Sequence, residues 1–144
     1  MHLLCDRHGH PLTFTLTAGQ AHESTALVTL LEEADDDVVD YEGEPIAWPV
    51  GLAGDKAYRA NWIDEHLLDL GIQPIIPSKN NEDRSVRTIP FDHETYRQRN
   101  IIEQLIGWLK ECRRLLTRFD KTAINFGGFV KLAFIQRYLK LMCR

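Results

Sequence analysis

The chain has 144 residues, 44% hydrophobic and 26% charged, a length and balance that fit one domain with a sizeable core and argue against two. No apolar run reaches the roughly 18 residues needed to span a bilayer, and Met1 is followed by His2, Leu3, Leu4, Cys5 and Asp6 rather than by a basic segment and a long apolar stretch, so a cytoplasmic protein without a membrane partner is expected. The net charge of −4 hides a division: residues 1–72 carry 14 acids against Arg7, Lys56 and Arg59, a net −11, while residues 73–144 carry 7 acids against 14 Lys and Arg, a net +7.

In chain order, residues 2–5 and 11–17 read as two strands joined by the polar turn Asp6-Arg7-His8-Gly9-His10, with Thr13, Thr15 and Thr17 alternating against Leu12, Phe14 and Leu16. Leu27, Leu30 and Leu31 are spaced for a helix over residues 23–34, which the acidic stretch from Asp35 to Glu44 should break into a solvated loop. Pro49 to Ala53 is small and apolar, as a buried strand is, and runs into Gly54-Asp55-Lys56-Ala57-Tyr58. A helix carrying Trp62, Ile63, His66, Leu67 and Leu70 follows, closed by Gly71, and residues 73–76 form another short strand. Pro77 to Pro90 is a polar loop. One long helix is then expected from about Asp92 to about Phe119, packed through Leu105, Ile106, Leu109 and Leu116, and a second from Ala123 to Leu141 with an apolar face of Phe126, Val130, Phe134, Tyr138 and Leu141. The three cysteines, Cys5, Cys112 and Cys143, lie far apart with no CxxC pair and read as reduced structural thiols.

Two features carry chemistry. Tyr96, Arg99, Glu103 and Lys110 stand at offsets 0, +3, +7 and +14, which at 100° per residue puts all four within about 60° on one helix face. A hydroxyl, a guanidinium, a carboxylate and an ammonium in one stripe can hold a metal ion and grip phosphate. Asp55 lies at a strand's carboxyl end, where open α/β sheets line their ligand crevice. Taken singly, Asp55 reads equally as a helix N-cap and Glu103 as a solvated acid paired with Arg99.

The string Gly54-Asp55-Lys56-Ala57-Tyr58 and the signature Tyr96-x2-Arg99-x3-Glu103-x6-Lys110 resemble the DDE transposases of bacterial insertion sequences, of the insertion-sequence 4 and 5 type. His2-Leu3-Leu4-Cys5-Asp6-x2-Gly9-x-Pro11, Ile76-Pro77-Ser78-Lys79 and Arg113-Arg114-x3-Arg118-Phe119-Asp120-Lys121 are similar to that family's hairpin, post-strand segment and basic helix end. The resemblance covers nearly the whole chain, in order. It implies an RNase H-like mixed sheet with flanking helices, in which two Asp and one Glu hold two divalent ions, Mg²⁺ or Mn²⁺, for DNA strand cleavage and transfer during transposition. Asp55 matches the second Asp and Glu103 the final Glu, both metal ligands. Tyr96, Arg99 and Lys110 match the supporting positions, and Arg113 and Arg114 the DNA-binding ones. The implied partners are double-stranded DNA, both the element's terminal inverted repeats and its target, and a second copy of the chain.

The family's first catalytic Asp lies on a strand that precedes the hairpin, and residues 1–144 hold no match to it. The expectation is therefore a partial domain, 1–144, lacking the first, central strand of its sheet, inactive by itself and in need of a complementing N-terminal half. Asp6, the one carboxylate before residue 23, reads as turn chemistry. A different class, a DNA-binding or dimerising regulator that occupies the element's ends without cutting, needs the basic helices but not Glu103. His22, His66 and His93 lack metal-ligand spacing and read as surface or helix residues, and Trp48, Trp62 and Trp108 as core.

Overall fold

In the computed structural model, which describes residues 1–19, 22–83, 85–112, 115 and 122–143, the first element is the expected hairpin. Strand β1 (His2–Cys5) pairs antiparallel with β2 (Pro11–Thr15), in the register His2↔Thr15, Leu3↔Phe14 and Leu4↔Thr13, with a bulge between Leu4 and Cys5. The turn is set by Asp6, whose Oδ1 accepts the backbone N–H groups of His8 at 2.8 Å and His10 at 2.9 Å, while its Oδ2 lies 2.8 Å from His10 Nδ1. Gly9 takes a φ of 77° there, a conformation that costs glycine nothing. Strand β2 stops at Thr15 rather than residue 17 because β1 offers no partner beyond His2. The Thr17 hydroxyl bonds His2 Nε2 at 2.9 Å instead.

Helix α1 (Glu23–Asp37) extends three residues past the expected end, and Asp35, Asp36 and Asp37 continue it rather than break it. Ala34 is 5% exposed, and its carbonyl accepts the Val38 N–H at 3.0 Å, so the backbone ladder outlasts the apolar pattern while the acids stay in water. The helix buries Ala26, Leu27, Leu30, Leu31 and Ala34 and packs against β2, β1 and the turn that follows the next strand. The face of β2 toward α1 is built from Thr13 and Thr15, both buried, with the Thr15 hydroxyl donating to Glu33 Oε1 at 3.2 Å. Phe14 points to the other face.

A second, separate sheet is formed by β3 (Gly51–Ala53) and β4 (Gln73–Ile75), parallel in the register Gly51↔Gln73, Leu52↔Pro74, Ala53↔Ile75. The crossover carries a 3₁₀ turn (Lys56–Tyr58) and helix α2 (Asn61–Asp69), closed by Gly71 at φ 75°. Leu27 and Leu31 of α1 join Ile63, Leu67, Ile72 and Ile76 in one core, with Trp48, Leu52 and Tyr58 packed around it. Trp62 is 46% exposed, against the expectation that it is core; Ile63 and Leu67, four apart, take the inward stripe and turn Trp62 outward.

The expected long helix is two: α3 (His93–Arg97) and α4 (Asn100–Glu111). Gln98 and Arg99 join them in tight helical geometry, with i→i−3 bonds from Gln98 N–H to Thr95 O at 3.1 Å and from Arg99 N–H to Tyr96 O at 3.0 Å. Helix α4 ends as Cys112 turns extended, with its N–H on Leu109 O, and Leu116 lies outside the described residues. The last helix, α5 (Ala123–Met142), buries Val130, Ala133 and Phe134 against Leu109, Leu3 and Phe14, with a Phe14–Phe134 edge contact at 5.7 Å. Tyr138 and Leu141 of its expected face are 38% and 39% exposed. Leu105 and Leu109 are buried as expected, and Trp108 is partly buried beneath the Arg137 guanidinium at 5.0 Å.

The accessible surface, 10,002 Å², exceeds the about 7,600 Å² expected of a closed monomer of 16.6 kDa. The cysteines are unpaired, and burial, aided by Asp6, pushes the Cys5 thiol up to about 11, so it stays protonated at neutral pH.

Leu31→Ala is expected to cost about 2–5 kcal/mol, read as a fall in the urea midpoint, because the side chain belongs to the core that ties α1 to α2 and β4. Asp6 gives a pH-dependent companion. Burial raises its carboxyl, but the hydrogen bonds from the His10 backbone and ring and the His8 backbone outweigh it and leave the carboxyl below its ordinary value. Its contribution is therefore complete above the unfolded carboxyl value and lost as pH falls through the lower folded one. Asp6→Ala should destabilise by about 1 kcal/mol at pH 7, with the gap closing below about pH 4 in thermal melts.

Candidate functional site

Asp55 follows β3 directly. Gly54 keeps the chain on the sheet by donating its N–H to Ile75 O at 3.2 Å, and Asp55 then leaves the sheet as cap of the 3₁₀ turn, its Oδ1 accepting the Ala57 N–H at 3.1 Å. The capping and site readings of Asp55 are thus compatible: one oxygen caps, and the other faces away. That second oxygen, Oδ2, lies 3.9 Å from Arg99 Nη1.

Arg99 reaches Asp55 from the junction of α3 and α4, and its Nη2 donates to Glu103 Oε1 at 2.7 Å, one helical turn on. The 3₁₀ tightening at Gln98–Arg99 helps, since residues three apart eclipse in that geometry. It sets the Arg99 guanidinium over the Tyr96 ring, 5.5 Å from its centroid. Tyr96 is in turn packed against Phe91, the rings tilted at 57° with centroids 5.1 Å apart, and α3 is capped by Asp92, which accepts the N–H groups of Glu94 and Thr95, each at 3.0 Å. Asp55, Arg99, Glu103 and Tyr96, drawn from two distant segments, therefore meet in one place. Side-chain exposure is 48% for Asp55, 23% for Arg99 and 62% for Glu103, so the group is open to solvent.

Lys110 is exposed on α4, seven residues beyond Glu103 and therefore about 10 Å along the helix axis, and does not join the cluster. Arg113 and Arg114 lie outside the described residues. Asp6 is spent on its own turn. His22 and His93 are exposed and His66 is half-buried on α2. No group of three or more His, Cys, Asp or Glu poised around a metal position occurs among the described residues; the site offers two carboxylates.

A second constellation was not foreseen. Asp64, on the inward face of α2, is 4% exposed and bonds Arg87 through both oxygens, Nε to Oδ2 at 3.1 Å and Nη2 to Oδ1 at 3.2 Å. Arg59 Nη1 lies 3.2 Å from the same Oδ2, and its other nitrogens bond Glu82 and Asn61. Arg87 also donates to Ile76 O at 2.6 Å. These pairs fasten the loop after β4 and fix the chain just past the Asp55 turn. The polar residues 77–90 gave no periodic signal, but one did exist: an acid beside Ile63 on the apolar stripe of α2. His2 adds a third fastening, with Nδ1 2.7 Å from the Tyr58 hydroxyl, and burial lowers the ring's pKa, keeping it neutral.

The sequence pattern of the transposase DDE domain matches residues 1–135. The chain belongs to the DDE transposase family. A Burkholderia cepacia protein named "Putative transposase for insertion sequence element IS402" is 29% identical over 131 residues, covering 91% of this chain and 58% of that protein. The chain thus spans little more than half the length of that relative. No solved structure matches it. DDE transposases as a family generally use divalent metal ions. No helix among the described residues is long and apolar enough to cross a membrane.

Asp64→Ala should cost about 3–5 kcal/mol, because it strands the buried guanidiniums of Arg59 and Arg87 without their shared counter-charge. Chemical denaturation should show this loss, and a change below about 1 kcal/mol would mean that the network is a surface feature.

Proposed function

We propose that residues 1–144 form part of a DDE transposase catalytic domain of RNase H-like architecture, acting in DNA transposition by metal-dependent cleavage and transfer of strands at insertion-sequence ends. The observation that carries this reading is the convergence of Asp55 and Glu103, 48 residues apart in sequence, on one cation, the Arg99 guanidinium. Two exposed carboxylates sharing one positive group are a fitting donor set for a hard divalent ion, Mg²⁺ or Mn²⁺, which would fill its remaining positions with water, phosphate oxygens and a further carboxylate. Held there, such an ion would supply Lewis-acid activation of an attacking oxygen and neutralisation of the leaving one. The residues of the chain do the rest. Arg99 and Lys110 grip phosphates of the cut end, and Tyr96 holds the Arg99 plane in place. Arg113 and Arg114 extend the basic surface along the duplex, the element's terminal inverted repeats and then its target DNA.

The reading also accounts for the split sheet. Strand β1 pairs only with β2, and β3 only with β4, among the described residues, yet α1 packs against both β1 and the turn after β3. One more strand, entering between β1 and β3, would join the two sheets and deliver the third carboxylate beside Asp55. Supplied by a complementing N-terminal half, it would convert an inactive chain into an active one. Residues 1–144 alone should cleave nothing.

The test is Glu103→Gln in the complemented protein, assayed on a labelled duplex from the element's ends. Cleavage should fall by at least about 100-fold, while DNA affinity and its salt dependence stay within about twofold. A complemented wild-type protein that binds the ends but never cuts them would support the non-catalytic regulator instead.

A further inference from the structure

The position of Arg99 raises a conflict that the reading above, on which this inference rests, leaves open: the same two amino groups are asked to serve carboxylates and phosphate. Nη2 is committed to Glu103 at 2.7 Å, and Nη1 faces Asp55 Oδ2 at 3.9 Å, inside ion-pair range but beyond a hydrogen bond. A guanidinium grips phosphate bidentately through a pair of N–H groups, and the Nη1/Nη2 edge, turned to the two carboxylates, is not free to do so. A divalent ion held by these two acids would draw on Asp55 Oδ2, the oxygen that does not cap the 3₁₀ turn, and on Glu103. Arg99 and the metal therefore claim the same oxygens.

We propose that Arg99 and a divalent cation compete for Asp55 and Glu103, and that metal binding thereby releases Arg99 to a DNA phosphate. The energetics favour exchange. With the carboxylates 48% and 62% exposed, the ion pairs are weakened by solvent, whereas a divalent ion brings twice the charge to the same oxygens. The Tyr96 ring, 5.5 Å below the guanidinium, keeps the freed cation at the site rather than letting it swing into bulk water. Metal occupancy and phosphate grip are then linked: each should strengthen the other.

The probe is Mn²⁺ alone, titrated into the full chain and followed by the electron paramagnetic resonance of the free ion. Arg99→Gln should bind Mn²⁺ about threefold or more tightly than wild type, the scale of losing weak exposed ion pairs. Asp55→Asn and Glu103→Gln should each weaken binding. Equal or weaker binding by Arg99→Gln, with Asp55→Asn still impaired, would overturn the competition while leaving the two-carboxylate site intact. Unchanged binding in both carboxylate variants would remove the metal site and the competition together. An independent measurement uses a non-specific duplex: Mn²⁺ should steepen the wild-type salt dependence by about one phosphate contact and leave that of Arg99→Gln unaltered. A wild-type slope indifferent to Mn²⁺ would overturn the proposal.

Discussion

Helix α1 is the constraint on which the rest of the architecture depends. A two-stranded sheet is marginal in water by itself, and this chain has two of them, a hairpin and a parallel pair, with no ladder between them among the described residues. Leu27 and Leu31 reach the core under β3 and β4, while the same helix packs along β2 and β1. Both sheets thus share one apolar backing. That backing explains why Thr13 and Thr15 are buried in a strand whose larger side chain, Phe14, faces α5 instead.

Upon this frame the polar fastenings determine where the chemistry sits. The buried Asp64–Arg59–Arg87 group and the His2–Tyr58 contact bracket the turn that bears Asp55. A carboxylate at the end of a three-residue strand would otherwise wander with its loop. The Asp92 cap and the Phe91–Tyr96 ring contact do the same for the segment that carries Arg99 and Glu103. Two carboxylates far apart in sequence are brought to one guanidinium because each is held by its own local anchor.

The balance of charge gives the site its character. The site is open to solvent, its acids are exposed, and the Arg99 cation between them is held by pairs that water weakens. Such exposed pairs are easily remodelled by ions.

The sequence by itself determined the elements that follow local rules: the hairpin from its alternation and Asp6 turn, α2 from its apolar spacing and Gly71, and the pairing of Arg99 with Glu103 from helical offset. It also carried the family resemblance, because residue types at fixed gaps survive without coordinates. The break between α3 and α4 and the survival of α1 through three aspartates escaped it, since both rest on backbone hydrogen bonds rather than on side-chain pattern. The tertiary structure alone decided that Asp55 reaches Arg99 and that Asp64 anchors the loop after β4. Those contacts join segments separated by tens of residues, and their distances depend on how helices pack on sheets, which no local spacing encodes.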